Sequence, residues 1–106
     1  MKLKITRIVG YPTKILSTYA IYIPYEYMHF YSINEQHDKI IRDENEHSIL
    51  YKPYQERELK MNEKVVSISH GLTYLPRLWV KKNDLKVNEL VYLIGTHDGL
   101  LIHPQK

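Results

Sequence analysis

The spacing of apolar positions changes three times between Gly71 and Pro104, and each change predicts an element. Residues 72–75 read as a short strand that stops at Pro76, which cannot donate the next ladder hydrogen bond but can open a helix at its first position. From Arg77 to Lys82, lipophilic Leu78, Trp79 and Val80 mix with basic Arg77, Lys81 and Lys82, enough for one or two helical turns before Asn83-Asp84 break the pattern. Two β-prone runs follow, residues 90–94 and 100–103, joined by Gly95-Thr96-His97-Asp98-Gly99, whose closing Asp-Gly is a hairpin signal. The predicted order is strand, short helix, hairpin.

The first half of the chain runs through the same patterns. Tyr22-Ile23-Pro24 parallels Tyr74-Leu75-Pro76, and the positions three and nine beyond the proline hold Tyr27 and Ile33 in one copy, Trp79 and Leu85 in the other. Ile49-Leu50-Tyr51-Lys52-Pro53 parallels Leu100-Leu101-Ile102-His103-Pro104, so the chain reads as duplicated with an offset of about 51 to 52 residues. This divides it into a first repeat over 1–53, a linker over 54–63 and a second repeat over 64–106. A unit of about 50 residues is marginal alone, so the repeats are expected to share one core.

Within the first repeat, residues 1–9 alternate Leu3 and Ile5 against Lys2, Lys4 and Thr6 and predict an edge strand. Gly10-Tyr11-Pro12 reads as a turn, residues 14–23 as extended, 25–31 as a short helix, and 38–42 with 48–52 as a hairpin around an acidic turn, Asp43-Glu44-Asn45-Glu46. The linker YQERELKMNE places Glu56 four residues before Lys60, the spacing of a helical ion pair. Residues 64–69 and 72–75 are the opening strands of the second repeat, with Ser69-His70-Gly71 as their turn.

This order and spacing resemble the AbrB-like swapped-hairpin DNA-binding family, which includes MazE-type antitoxins and SpoVT-type regulators. The resemblance rests on Gly71, Leu75-Pro76, Trp79, Leu85, Asn88-Glu89 and the closing Ile102-His103-Pro104, with Asn88 standing where the family has glycine, since both tolerate positive φ. It implies a mainly β fold: a swapped-hairpin β-barrel with two short helices, here closed by two tandem repeats as a pseudo-dimer, either as a monomer or as a homodimer. It also implies a double-stranded DNA partner and a role in transcription regulation. An antitoxin reading fits less well, because such proteins carry a toxin-neutralising tail beyond the DNA-binding domain and the sequence ends two residues after Pro104.

Charge adds an asymmetry between the repeats. A formal net charge of +3 and a pI near 9.0 are compatible with nucleic acid without requiring it. Between Arg77 and Lys86 the chain has Arg77, Lys81, Lys82 and Lys86 against one acid, Asp84; between Tyr25 and Asn34 it has only Glu26 and no Lys or Arg. Phosphate contacts need Lys or Arg able to displace condensed counterions. The candidate DNA-binding residues are therefore Arg77, Lys81, Lys82 and Lys86, helped by Lys64 on the opening strand and by Lys14 and Arg7. Family positions that are often basic hold Ala20 and Leu72, or Met28 and Val80, and Lys81 is the clean match. The acidic, tyrosine-rich first repeat keeps an alternative open: a protein-interaction or structural module that kept the fold without DNA binding.

Other chemistry finds little purchase. With no cysteine there is no disulfide framework or thiolate metal site, and the six histidines fall at no metal-ligand spacing. A Gly-rich phosphate loop and a serine elbow are both missing, so neither an enzyme nor a cofactor is expected. No apolar run reaches the length of a signal peptide or membrane span, which predicts a cytoplasmic protein without a membrane partner, in the host cytoplasm if viral. The Lys, Ile and Tyr bias points to an AT-rich genome, archaeal or viral.

Overall fold

The structure is a computed structural model and describes residues 11–104. The edge strand expected over 1–9, and Arg7 with it, lie outside the described residues. The elements run β1 (Tyr11–Lys14), β2 (Ala20–Tyr22), α1 (Tyr25–Phe30), β3 (His37–Glu44), β4 (Ile49–Pro53), β5 (Glu63–Ser69), β6 (Leu72–Tyr74), α2 (Arg77–Lys82), β7 (Leu90–Gly95) and β8 (Leu100–Pro104). Among the described residues the eight strands form one antiparallel sheet in the order β1-β7-β8-β4-β3-β5-β6-β2. Its two end strands meet where Thr13 Oγ1 donates to the Tyr22 carbonyl at 3.2 Å, leaving a nearly closed barrel.

Most ladders join one half of the chain to the other. Strand β1 pairs with β7, β3 with β5, β4 with β8 and β2 with β6. Only the β3–β4 and β7–β8 hairpins and the short β5–β6 contact at Ser69–Leu72 stay within a half. The core follows from this weave, with Ile15, Ile21, Ile40, Ile49, Tyr51, Ile68, Leu93, Leu100 and Ile102 sealed inside by strands from both halves.

Both helices are built the same way. Pro24 and Pro76 sit extended just before them, and their carbonyls accept from Met28 N at 3.2 Å and Val80 N at 3.0 Å. Each helix then stops in a left-handed residue, Ser32 at φ +57° and Asp84 at φ +58°. Two bonds close each end: Ser32 N to His29 O and Ile33 N to Met28 O in α1, Asp84 N to Lys81 O and Leu85 N to Val80 O in α2. This is the Schellman arrangement, and the apolar residue that follows it packs back on the helix. The position nine beyond each proline, Ile33 and Leu85, is that residue, and both lie against the core.

The helix ends also hold the hairpins of the opposite half. The Tyr31 hydroxyl donates at 2.7–2.8 Å toward the Thr96 and Gly99 carbonyls and accepts from Thr96 N at 2.9 Å, at the β7–β8 turn. Gly99 is required there because a Cβ would run into the Tyr51 carbonyl oxygen. In the other half Asn83 donates to the Glu46 carbonyl at 3.1 Å, at the β3–β4 turn.

Three local expectations need correction. Tyr11 and Pro12 lie in β1, not in a turn; β1 is an end strand, where the missing proline N–H costs no central ladder bond. The extended run over 14–23 is broken at Tyr19, whose φ of +65° turns the chain between β1 and β2. Residues 54–62 form no helix, and the acid that organises them is Glu63, not Glu56. Its enclosed carboxylate takes Lys52 Nζ at 2.6 Å, Arg57 Nη1 at 2.8 Å, Arg57 Nη2 at 3.1 Å and Lys60 N at 2.8 Å, while Lys52 also reaches Asp43 at 3.2 Å. These cations hold the Glu63 carboxyl well below the usual carboxylate range, Arg57 most of all.

Candidate functional site

A six-residue helix that buries Trp79 and Val80 must turn its remaining residues outward. In α2 those are Arg77, Leu78, Lys81 and Lys82, and the i, i+4 spacing lines up Arg77 with Lys81 and Leu78 with Lys82. The face carries three cations and no acid, around a Leu78 that is 78% exposed. Lys81 and Lys82 occupy the last turn, where the carbonyl ends favour positive charge.

Lys64 stands on the barrel wall, in β5. It stands opposite Arg42 in the β3–β5 ladder, and both line a cleft with Glu44, Met61 and Asn62. The next cleft, lined by Trp79 and Lys82, shares Glu44 and Asn62. Lys64 and Lys82 thus line neighbouring clefts, with Glu44 between them and Glu46 beside Lys82. Arg42, beside Lys64 in the first cleft, donates to the Tyr74 carbonyl at 3.3 Å at the end of β6, and local sequence signals do not single it out. Arg42 Nε and Trp79 Nε1 are buried donors without a protein acceptor.

The other candidates are placed differently. Lys86 lies in the loop after α2, where its backbone N–H donates to the Glu89 carboxylate at 2.9 Å and Asn88 N donates to the Ile15 carbonyl at 2.7 Å. Asn88 has φ +78°, the conformation that suits asparagine or glycine at this turn. Lys14 opens onto a separate groove of about 780 Å³ between β1 and β2, walled by Tyr11, Tyr22, Tyr25, Glu35 and His70. The structure therefore gathers Arg77, Lys81 and Lys82 on α2, places Lys64 on β5 in a neighbouring cleft, sets Lys86 in the loop beyond, and directs Lys14 to the groove beside α1.

The turn beside this groove is one of the places where the two halves differ. Leu75 N donates to the Tyr19 carbonyl at 2.8 Å, and Ile23 N donates to the Gly71 carbonyl at 2.8 Å, so Tyr19 and Gly71 hold the same place in the two halves. Tyr19 sets its ring 5.7 Å from the Arg77 guanidinium. At the matching point Gly71 lies buried against the Tyr22 ring, where a Cβ would come within 3.2 Å, and the groove opens beside it.

Among the described residues, no group of three or more His, Asp or Glu side chains is placed to hold a metal ion, and no helix is long and apolar enough to cross a membrane. Compared with known protein families, with curated proteins and with solved structures, the chain finds no match. What the site can do therefore rests on its own geometry: it presents exposed cations on a helix anchored in the core by Trp79 and Val80.

Proposed function

We propose that this chain is a double-stranded DNA-binding protein and a transcription regulator that docks through α2, with Arg77, Lys81 and Lys82 on backbone phosphates and Lys64 at the rim. The observation that carries the proposal is the exposed face of α2, three cations without an acid, seated on the buried Trp79. The strand exchange between halves supports a finer reading of the fold, a swapped-hairpin barrel of the AbrB type built by two tandem repeats as a single-chain pseudo-dimer. On this reading the protein binds rather than catalyses, and its place is the cytoplasm, with the DNA.

Binding to random-sequence duplex DNA across a salt series tests the proposal, with wild type beside Lys81→Ala/Lys82→Ala. The slope of log affinity against log salt is expected to flatten by about 0.9 for each phosphate contact removed. No binding by the wild type at low salt would overturn it. A second reading draws on the opposite helix: Tyr25 and Phe30, 53% and 60% exposed, suit a protein partner that uses α1 and leaves α2 idle.

A further inference from the structure

A left-handed φ is comfortable for glycine and strained for tyrosine. The chain places Gly71 at φ +84° in one half and Tyr19 at φ +65° at the matching point of the other. Strain kept at one of two matching positions asks what the ring does there. One side of the Tyr19 ring packs against the core, and the Arg77 guanidinium lies over it at 5.7 Å. The Tyr19 carbonyl also accepts from Leu75 N, one residue before the proline that opens α2. Tyr19 thus grips the start of the basic helix through its backbone and its ring together.

Arginine on a free surface samples many rotamers, and ordering it at the moment of docking costs affinity. A guanidinium resting on an aromatic face has part of that order already and stays charged, with its edge N–H groups free to donate. We infer that Tyr19 is a positioning residue that pre-sets the Arg77 guanidinium for a DNA phosphate. This inference rests on the DNA-binding reading and adds a determinant from the other half of the chain: the first half contributes to docking through a turn and not through its own helix.

The test is a double-mutant cycle of Tyr19→Gly with Arg77→Ala, read by titrating a labelled random-sequence duplex, with thermal melting of each variant alongside. Glycine suits the backbone at this position, and Tyr19→Asn, which also tolerates the left-handed region, serves if the glycine variant does not fold. Tyr19→Gly is expected to weaken binding by about two- to fivefold, evenly across sequences. The loss should vanish when Arg77 is already alanine, and Tyr19→Phe should restore wild-type affinity. If wild type binds and Tyr19→Gly binds equally well, or if its loss persists in the Arg77→Ala background, the inference fails while DNA binding stands. If the wild type does not bind at low salt, the DNA-binding reading itself fails, and the inference goes with it.

Discussion

Position for position, α1 turns Tyr25, Glu26, His29 and Phe30 outward where α2 turns Arg77, Leu78, Lys81 and Lys82. The two helices share their proline start, their Schellman close and the apolar residue that follows. Inward, Met28 and Val80 are both sealed, but Trp79 is fully buried whereas Tyr27 is only half-buried, with its ring edge-on to Tyr11. The backbone plan and the surface chemistry of this barrel vary independently: caps and core contacts fix where a helix sits, and the outward residues decide what it meets.

That contrast can be broken or sharpened by substitution. Trp79→Ala should cost about 3–5 kcal/mol in urea unfolding, and Tyr27→Ala clearly less; equal costs would mean that the two helices are anchored alike. Exchanging the faces comes next. Arg77→Ala/Lys81→Ala/Lys82→Ala should flatten the salt dependence of duplex binding by about 0.9 per lost phosphate contact, while Glu26→Lys/Phe30→Lys on α1 should steepen it if the second face can reach the same DNA.

The ion cluster at the start of β5 supplies an acid-sensitive difference between the halves. Because the folded Glu63 carboxyl titrates below its ordinary 4.5, its contribution is present above that value and drains away as pH falls through and below it. The wild-type melting midpoint should therefore drop on acidification. Glu63→Gln should start several degrees lower at neutral pH and lose most of that acid dependence. Smallest of the set, Gly71→Ala should cost about 1–2 kcal/mol for its left-handed backbone. A larger loss would show that the 3.2 Å approach of a Cβ to the Ile23 carbonyl adds to the strain.

Much of this architecture is legible along the chain because the signals are local. The prolines before α1 and α2, the hairpin around Asp98-Gly99, the His70-Gly71 turn and the apolar positions at Ile33 and Leu85 each act within one turn or one strand. What stayed hidden depends on pairing across the halves. Arg42 stands opposite Lys64 only because β3 pairs with β5, and nothing around Arg42 encodes that register. Tyr19 hid for a different reason: its β-prone neighbours read as a continuous strand, although Tyr19 N donates back to the Leu16 carbonyl and Leu16 N to the Ala20 carbonyl to close a local turn. The cations of α2 lie close together in the sequence and so are easily grouped, whereas the placing of Lys14 at the groove between β1 and β2 emerges only from the fold.

The exchange of strands between halves has a consequence for synthesis. When the ribosome has released residues as far as β4, Tyr11 still lacks its partner Leu93, and the open edge of β3 still waits for β5. High contact order of this kind slows folding, and the exposed edges invite pairing between neighbouring nascent chains. The same weave means that a cut within 54–62 would not release two independent domains. It would yield two fragments, each with strand edges whose partners lie on the other.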